Sequence, residues 1–324
     1  MLSRAFALLA MVVAAFASPA PAAADQPNWP PLLIIATASP GGTYHAYGAG
    51  LAKMLSRVLD MPVVEQTTEG PRENIQLIEA GQAQIGFVTM GVALQAWNGT
   101  ADWTNGKQYR EIRALFPMYD TPFHFVVLKD SGIRSLADLR GKRVGAGPET
   151  GTAGTYVPRF FSTLDIEAPI TYGTWDDLAA QLEQGTLDAL AVAAGVPFPA
   201  VAGLEAKNKI RYIAPMPEEI VKLRLAIPEL TASVIPPGSY PSLNAPCQTV
   251  GLYNFAVADK DLPSELVYRI VDAVFAHHQE MIDIHPAAAA TVPANFVHNT
   301  FLPYHSGALR YYGNVAAAGI ILGD

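Results

Sequence analysis

Leu32-Leu33-Ile34-Ile35-Ala36-Thr37, then Ser39-Pro40-Gly41-Gly42-Thr43, then a helical run from Tyr44 to Leu59, is the stretch whose reading decides the fold. The first six residues form a short apolar run suited to a strand covered on both faces. The next five break it with turn chemistry. From there Tyr44, Tyr47, Leu51, Leu55 and Val58 share one helical face. Thr43 is expected at the N-cap, with Gly41 and Gly42 letting backbone approach a guest closely. A helix N-terminus behind such a loop presents unpaired N–H groups and a partial positive charge, which suits an anion.

The chain makes this object twice. Arg143-Val144-Gly145-Ala146 reads as a strand, and Gly147 to Thr155 as a second glycine-threonine loop. The helix after it buries Val157, Phe160, Phe161 and Leu164, and Pro158 is expected near its first turn. Around each copy the grammar is the same. In the first half, Pro62-Val63-Val64 is a strand, Gly70-Pro71 opens a helix that stops at Gly81, and Gln84 to Val88 is a strand. In the second, Ser135 to Asp138 starts a short helix ended by Gly141. Ile170-Thr171-Tyr172 is then a strand, Thr174 caps a helix that ends at Gly185, and Leu187 to Val192 is a strand. Trp97 to Lys107 is a turn-rich surface excursion, and Val250 to Val257 a strand before a helix opened by Asp261 to Glu265.

Alternating strands and helices predict an α/β fold of two lobes, each with a mainly parallel sheet flanked by helices. Ligands of such sheets sit beyond the carboxyl ends of strands, at helix N-termini. Residues 25–122 and 251–324 are assigned to lobe I and 123–250 to lobe II. Extended segments around Phe123–Leu128 and Val250–Val257 are the crossovers that would form a hinge. This is the plan of a type II-like periplasmic binding protein.

Of 324 residues half are hydrophobic and 15% charged, a globular composition. Arg4, the apolar run Ala5 to Ala17 and Ala22-Ala23-Ala24 before Asp25 read as a signal peptide cleaved near Ala24, hence a periplasmic protein. Cleavage leaves 20 basic against 29 acidic side chains and a formal charge of −9, which argues against nucleic acid and anionic membranes. Cys247 stands alone, so no internal disulfide forms, and with no base beside it a buried structural thiol is expected.

Ser39-Pro40-Gly41-Gly42-Thr43-Tyr44, Leu139-Arg140-Gly141-Lys142-Arg143-Val144, Thr249-Val250-Gly251-Leu252-Tyr253-Asn254 and His305-Ser306-Gly307-Ala308-Leu309-Arg310-Tyr311-Tyr312 resemble the TAXI family of TRAP transporter solute receptors. So do Glu73-Asn74, Asp261-Leu262-Pro263, Val267-Tyr268 and Ile284-His285-Pro286-Ala287-Ala288. The resemblance covers essentially all of the mature chain. It implies a receptor that delivers a small organic acid or amino acid, glutamate-like, glutamine-like or a dicarboxylate, to a sodium-driven TRAP permease of fused small and large subunits. The sequence departs from the commoner family pattern at Gly147 to Thr155, which is longer and ends Thr-Ala-Gly-Thr, and at Thr89-Met90-Gly91, which lacks the polar residue often found after the third strand. Both border the expected cleft.

The expected ligand-binding set in lobe I is Gly41, Gly42, Thr43, Tyr44 and Thr89. In lobe II it is Gly151, Thr152, Ala153, Gly154 and Thr155, with Trp175 and Gly195. Tyr44 is the best side-chain candidate, and Trp175 could cover a ligand or pack on the sheet. His124 is read as structural, and Arg72 and Arg159 as solvent-facing by default although either could pair a carboxylate. No cofactor and no metal are expected. His277, His278 and His285 lack a completing carboxylate or cysteine pattern, and Gly145-Ala146-Gly147 lacks the third glycine of a dinucleotide fingerprint. The solute is expected to be anionic or zwitterionic. The rivals are an exported α/β hydrolase, for which no convergent nucleophile and base is visible, and a sensor presenting its ligand to a membrane kinase.

Overall fold

The decisive stretch folds as β1 (Leu33–Ala36), a six-residue turn over 37–42, and α1 (Thr43–Leu59). The computed structural model describes residues 28–317, so the signal peptide read at 1–24 lies outside the described residues. Thr43 is not the cap. Gly42 holds that position with extended backbone (φ −94°, ψ 153°), and Thr43 is the first helical residue. A glycine cap has no side chain to fold back, so the first N–H groups of α1 stay available.

The second copy is β5 (Val144–Gly145), a six-residue turn over 146–151, and α4 (Thr152–Thr163), capped by Gly151 (φ −73°, ψ 171°). Thr152 to Thr155, expected in the loop, form the first turn of the helix. Pro158 is likewise interior rather than initial. Its missing N–H leaves the Gly154 carbonyl without a helical partner, a defect of about 3 kcal/mol in an isolated helix. Burial of Tyr156, Val157, Phe160 and Phe161 opposes it. Gly154 lies so close to the carbonyls of Pro148 and Glu149 that a Cβ would collide with both.

In lobe I, β2 (Val63–Gln66), β1 and β3 (Ile85–Thr89) run parallel in that spatial order, followed by antiparallel β10 (Cys247–Asp259) and β4 (Ile112–Leu128). All five residues of β3 are buried, as a strand covered on both faces requires. In lobe II, β7 (Ala189–Ala193) pairs antiparallel with the far end of β4, then β5 and β6 (Ile170–Thr171) follow in parallel. β8 (Ile210–Tyr212) pairs with β4, and β9 (Thr231–Ile235) with β10.

β4 and β10 cross between the lobes. In the sequence Thr121-Pro122 interrupts the extended segments Ile112 to Met118 and Phe123 to Leu128, yet the structure shows one strand. It bonds to β10 as far as Pro122 and to β7 from Phe123. Pro122 therefore stands where partners change and a missing ladder N–H costs least. β10 changes likewise, pairing with β9 up to Gly251 and with β3 from Asn254.

Helices α2 (Pro71–Glu79) and α5 (Trp175–Glu183) start where the sequence puts them, and the Thr174 hydroxyl caps α5 by accepting from Asp177 N–H. The segment from Ser135 shortens to one 3-10 turn, Ala137–Leu139. Elements that the sequence reading lacks include α3 (Met90–Asn98), α6 (Pro199–Lys207), α7 (Pro217–Ala226), β8, β9 and the last two α-helices of the described chain. α8 (Ser264–Ala276), α9 (His278–Ile284) and α10 (Ser306–Ala317) complete lobe I.

Candidate functional site between the lobes

The amino ends of α1, α2, α4, α5 and α6 converge on one cavity between the lobes. Gly42, Thr43 and Tyr44 line it from α1, Gly70 and Pro71 from α2, and Gly151, Thr152 and Ala153 from α4. Trp175, Phe198 and the Ala193-Ala194-Gly195 segment after β7 complete the lobe II wall, while Tyr119 and Thr121 of β4 form the floor. Its volume is about 40 Å³, room for a few water-sized atoms with the lobes together. Glu69 is the one charged residue among those lining it.

The lobes meet backbone to side chain around this space. Thr43 Oγ1 donates to Gly195 O at 2.9 Å, and Ala200 N–H donates to Gly41 O at 3.1 Å. The hydroxyls of Thr89 and Thr152 lie 3.3 Å apart, and Thr150 Oγ1 donates to Glu69 Oε2 at 3.0 Å. Every one of these bonds joins lobe I to lobe II.

Of the expected set, Gly42, Thr43, Tyr44, Gly151, Thr152, Ala153, Trp175 and Gly195 line the cavity. Gly41, Thr89, Gly154 and Thr155 do not. Gly41 (φ 80°) turns the chain behind the wall, and Thr89 is spent on the contact with Thr152. Gly154 packs on the preceding loop, and the Thr155 hydroxyl donates to Gly151 O within its own helix. Tyr44 is a wall rather than a free hydroxyl, because its OH donates to Asn254 Oδ1 at 2.6 Å. Trp175 lines the cavity and packs edge-on against Phe198, the residue before α6, at 5.1 Å.

Asn254 is fully buried on β10 beside Thr89. It accepts from Tyr44 and donates from Nδ2 to Tyr119 O and to the Thr121 hydroxyl. A bulge between Tyr253 and Phe255 releases it from the β4 ladder to do so. Its signals in the sequence are a polar residue inside an apolar strand and its place at the end of the Thr249 to Asn254 motif. Tyr119 has none: it is an aromatic in a buried strand, and its hydroxyl is buried without a partner among the described residues. Burial pushes the Tyr44 and Tyr119 phenols well above their ordinary value, so both stay neutral.

His124 holds the opposite wall. Its Nδ1–H donates to Pro122 O at 2.9 Å, and Nε2 accepts from the Tyr240 hydroxyl at 3.1 Å. That hydroxyl accepts from Phe198 N–H at 2.7 Å, so a residue just past the crossing point positions a cavity residue. Burial pulls the His124 pKa down to about 4 against the opposing pull of Pro122 O.

The remaining chemistry-bearing side chains serve the scaffold. His278 bonds Ala288 O at 2.8 Å, and His285 accepts from Ala287 N–H. Cys247 is buried, which pushes its thiol up to about 11.

A family model described as the NMT1-like family matches residues 35–315. The chain belongs to the NMT1-like family. Among solved structures, this NMT1-like chain is similar to PhnD1 from Prochlorococcus marinus in complex with methylphosphonate, at 15% identity and a TM-score of 0.53, covering 90% of this chain and 98% of that one. It is also similar to an ancestral arginine-binding protein bound to arginine, at 15% identity and a TM-score of 0.51, covering 79% and 97%. The shared fold is that of type II periplasmic binding proteins, two α/β lobes joined by crossing strands.

Proposed function

We propose that this protein is an extracytoplasmic solute receptor, a binding protein and not an enzyme, that closes its lobes over a small anionic or zwitterionic solute. One observation carries the reading. The N-termini of α1 and α4, one from each lobe and each capped by a glycine, line the same cavity. Removing a carboxylate from water is costly unless its oxygens find donors, and two opposed sets of free N–H groups supply them without a basic side chain. Four aromatic residues, Tyr44, Tyr119, Trp175 and Phe198, wall off water. The two fold neighbours hold methylphosphonate and arginine respectively; the choice of solute here rests on the cavity alone.

The finer assignment follows from the motifs. Their order and spacing support a TAXI-type TRAP receptor that hands its solute to a fused membrane permease in the periplasm. The changes of strand partner at Pro122/Phe123 and at Gly251 support a hinge there, with lobes divided near those residues.

Closure is testable through Gly41. A Cβ at this residue of lobe I would run into the Asp176 carboxylate of lobe II, and φ of 80° disfavours any side chain. A thermal-shift screen of organic acids and amino acids identifies the solute, and calorimetry then compares wild type with Gly41→Ala. The variant is expected to bind at least tenfold more weakly while its solute-free unfolding midpoint falls by only a few degrees. Equal affinities would mean that binding does not require the lobes to meet.

A further inference from the structure

One helical turn beyond the cavity, a second groove of about 540 Å³ opens between the lobes. Lobe I lines it with Arg72, Gln95 and Trp103, and lobe II with Arg159 and Glu229. Along α4 it continues the face of the cavity, because Thr152 borders the cavity while Thr155 and Arg159 border the groove. Residues three and four apart on a helix lie side by side. On α2 the adjacent residues Pro71 and Arg72 border the cavity and the groove respectively.

The two arginines differ in what they bond. Arg159 donates from Nη1 to Glu229 Oε1 at 2.8 Å, and that oxygen also accepts from Gln95 and Tyr156 at 3.2 Å. Arg72 has no hydrogen-bond or ion-pair partner among the described residues, and its Nε is buried without an acceptor. Its guanidinium lies over Trp103, 5.7 Å from the ring centroid. Trp103 is itself held, donating Nε1–H to Gln95 Oε1 at 3.3 Å. Burial lowers the Arg72 pKa while Glu149 raises it, but a guanidinium stays charged in neutral water. Asp102 and Glu229 offset the formal charge of the groove, yet Glu229 is committed to Arg159. A partly desolvated cation therefore faces the groove with its Nε buried and no protein acceptor for its protons among the described residues. Such a group is expensive to leave unsatisfied.

We propose that this groove is a second ligand site, in which Arg72 of lobe I and Arg159 of lobe II together bind a small oxyanion. The planar fork of each guanidinium matches two oxygens of phosphate, sulfate or carboxylate. Because the two arginines come from different lobes, the anion binds the closed form better and shifts the population toward it. Its source is either a free ion or the outer acidic group of a solute reaching from the neighbouring cavity. The chemistry at the arginines is the same.

The test is calorimetric titration of the protein with inorganic phosphate at constant ionic strength, on wild type, Arg72→Met, Arg72→Lys and Arg159→Met. Arg72→Met breaks no hydrogen bond or ion pair and removes only the guanidinium's contact with the Trp103 ring, so with circular dichroism checking its fold it is expected to bind phosphate ten- to a hundredfold more weakly. Arg72→Lys keeps the charge without the fork and falls between. Arg159→Met is expected to match Arg72→Met, with circular dichroism checking that loss of the Glu229 partner leaves the fold intact. Phosphate that saturates a protein already filled with solute assigns the free ion. Phosphate that competes with a dicarboxylate, itself weakened by Arg72→Met, assigns the solute's own carboxylate. No saturable phosphate binding by wild type together with unchanged dicarboxylate affinity in Arg72→Met overturns the proposal, as does equal phosphate affinity in wild type and Arg72→Met. The titration with phosphate alone reads out whether or not the main cavity takes a solute.

Discussion

The two glycine-threonine turns have the same length, the same extended glycine at the cap and the same threonine at the first helical position, but they are anchored differently. In lobe I the left-handed residue is Gly41, directly before the cap, whereas in lobe II it is Gly147, near the start of the turn. The residue after the threonine matters more. Tyr44 reaches Asn254 and ties the first turn to the crossing strand β10. Ala153 has no polar side chain, so the second turn offers backbone and two hydroxyls, Thr152 meeting Thr89 and Thr150 donating to Glu69, both across the cleft. Under the proposed closure, lobe I would then carry the fixed half of the cavity and lobe II the arriving half.

The strongest way to break this contrast is Asn254→Ala. It strands the Tyr44 hydroxyl, the Tyr119 carbonyl and the Thr121 hydroxyl in a fully buried place. Each unsatisfied group costs about 1–3 kcal/mol, so urea unfolding should report a loss of about 3 kcal/mol or more. Thr152→Ala, which loosens only the second turn, should cost under about 1 kcal/mol in the same assay. Comparable losses would put the two turns on an equal footing and remove the distinction between a fixed and an arriving half.

The parts of this plan that repeat along the chain were the parts legible in it. Two strands, two turns and two helices of matching grammar predict two α/β lobes, and the turns expected to hold a ligand stand at the heads of α1 and α4, which border the cavity. What failed failed for local reasons. Pro158 looks like a helix start because a proline inside a helix is costly, and only tertiary burial of Phe160 and Phe161 makes its position tolerable. Thr121-Pro122 looks like a break because the change of pairing partner that excuses it lies in the other lobe. α6 and α7 each open on proline but carry no clean apolar stripe, and β8 and β9 are short edge strands. Tyr119 and Phe198 belong to the site only because two lobes come together, which no local pattern records.

The far wall gives a second prediction, through His124. It is held neutral in the folded state with a pKa near 4, against about 6.5 in the unfolded chain. A base whose folded pKa is depressed binds its proton first in the unfolded state. Its contribution is therefore complete above about pH 6.5 and is lost as pH falls toward 4. Between pH 7 and pH 5 the loss should be about 2 kcal/mol. His285, His298 and His305 shift in the same direction through burial, so the group must be isolated by substitution. Urea unfolding of His124→Gln at both pH values should show a smaller pH difference than wild type by about that amount. An unchanged difference would mean that the histidine titrates alike in both states and that Phe198 is positioned without it.

The smallest effect is also the sharpest comparison, because it sets the two equivalent threonines against each other. Thr43 Oγ1 donates to Gly195 O at 2.9 Å in a buried place, while Thr152 meets Thr89 at 3.3 Å. Both bonds exist only when the lobes are together, so valine at either position should leave the solute-free protein nearly as stable as before. It should instead weaken binding of whichever solute gives the largest thermal shift. One lost hydrogen bond is worth about 1 kcal/mol, or roughly five- to tenfold in affinity. Thr43→Val should show the larger loss, since its bond is shorter and its acceptor is a carbonyl left buried. The double variant should lose less than the product of the two, because both bonds draw on a single closure equilibrium and the first substitution has already shifted it. Calorimetry on the three variants decides the matter. Strict additivity would mean that the threonines touch the solute independently of closure, and wild-type affinity in both would reduce them to spacers at the heads of their helices.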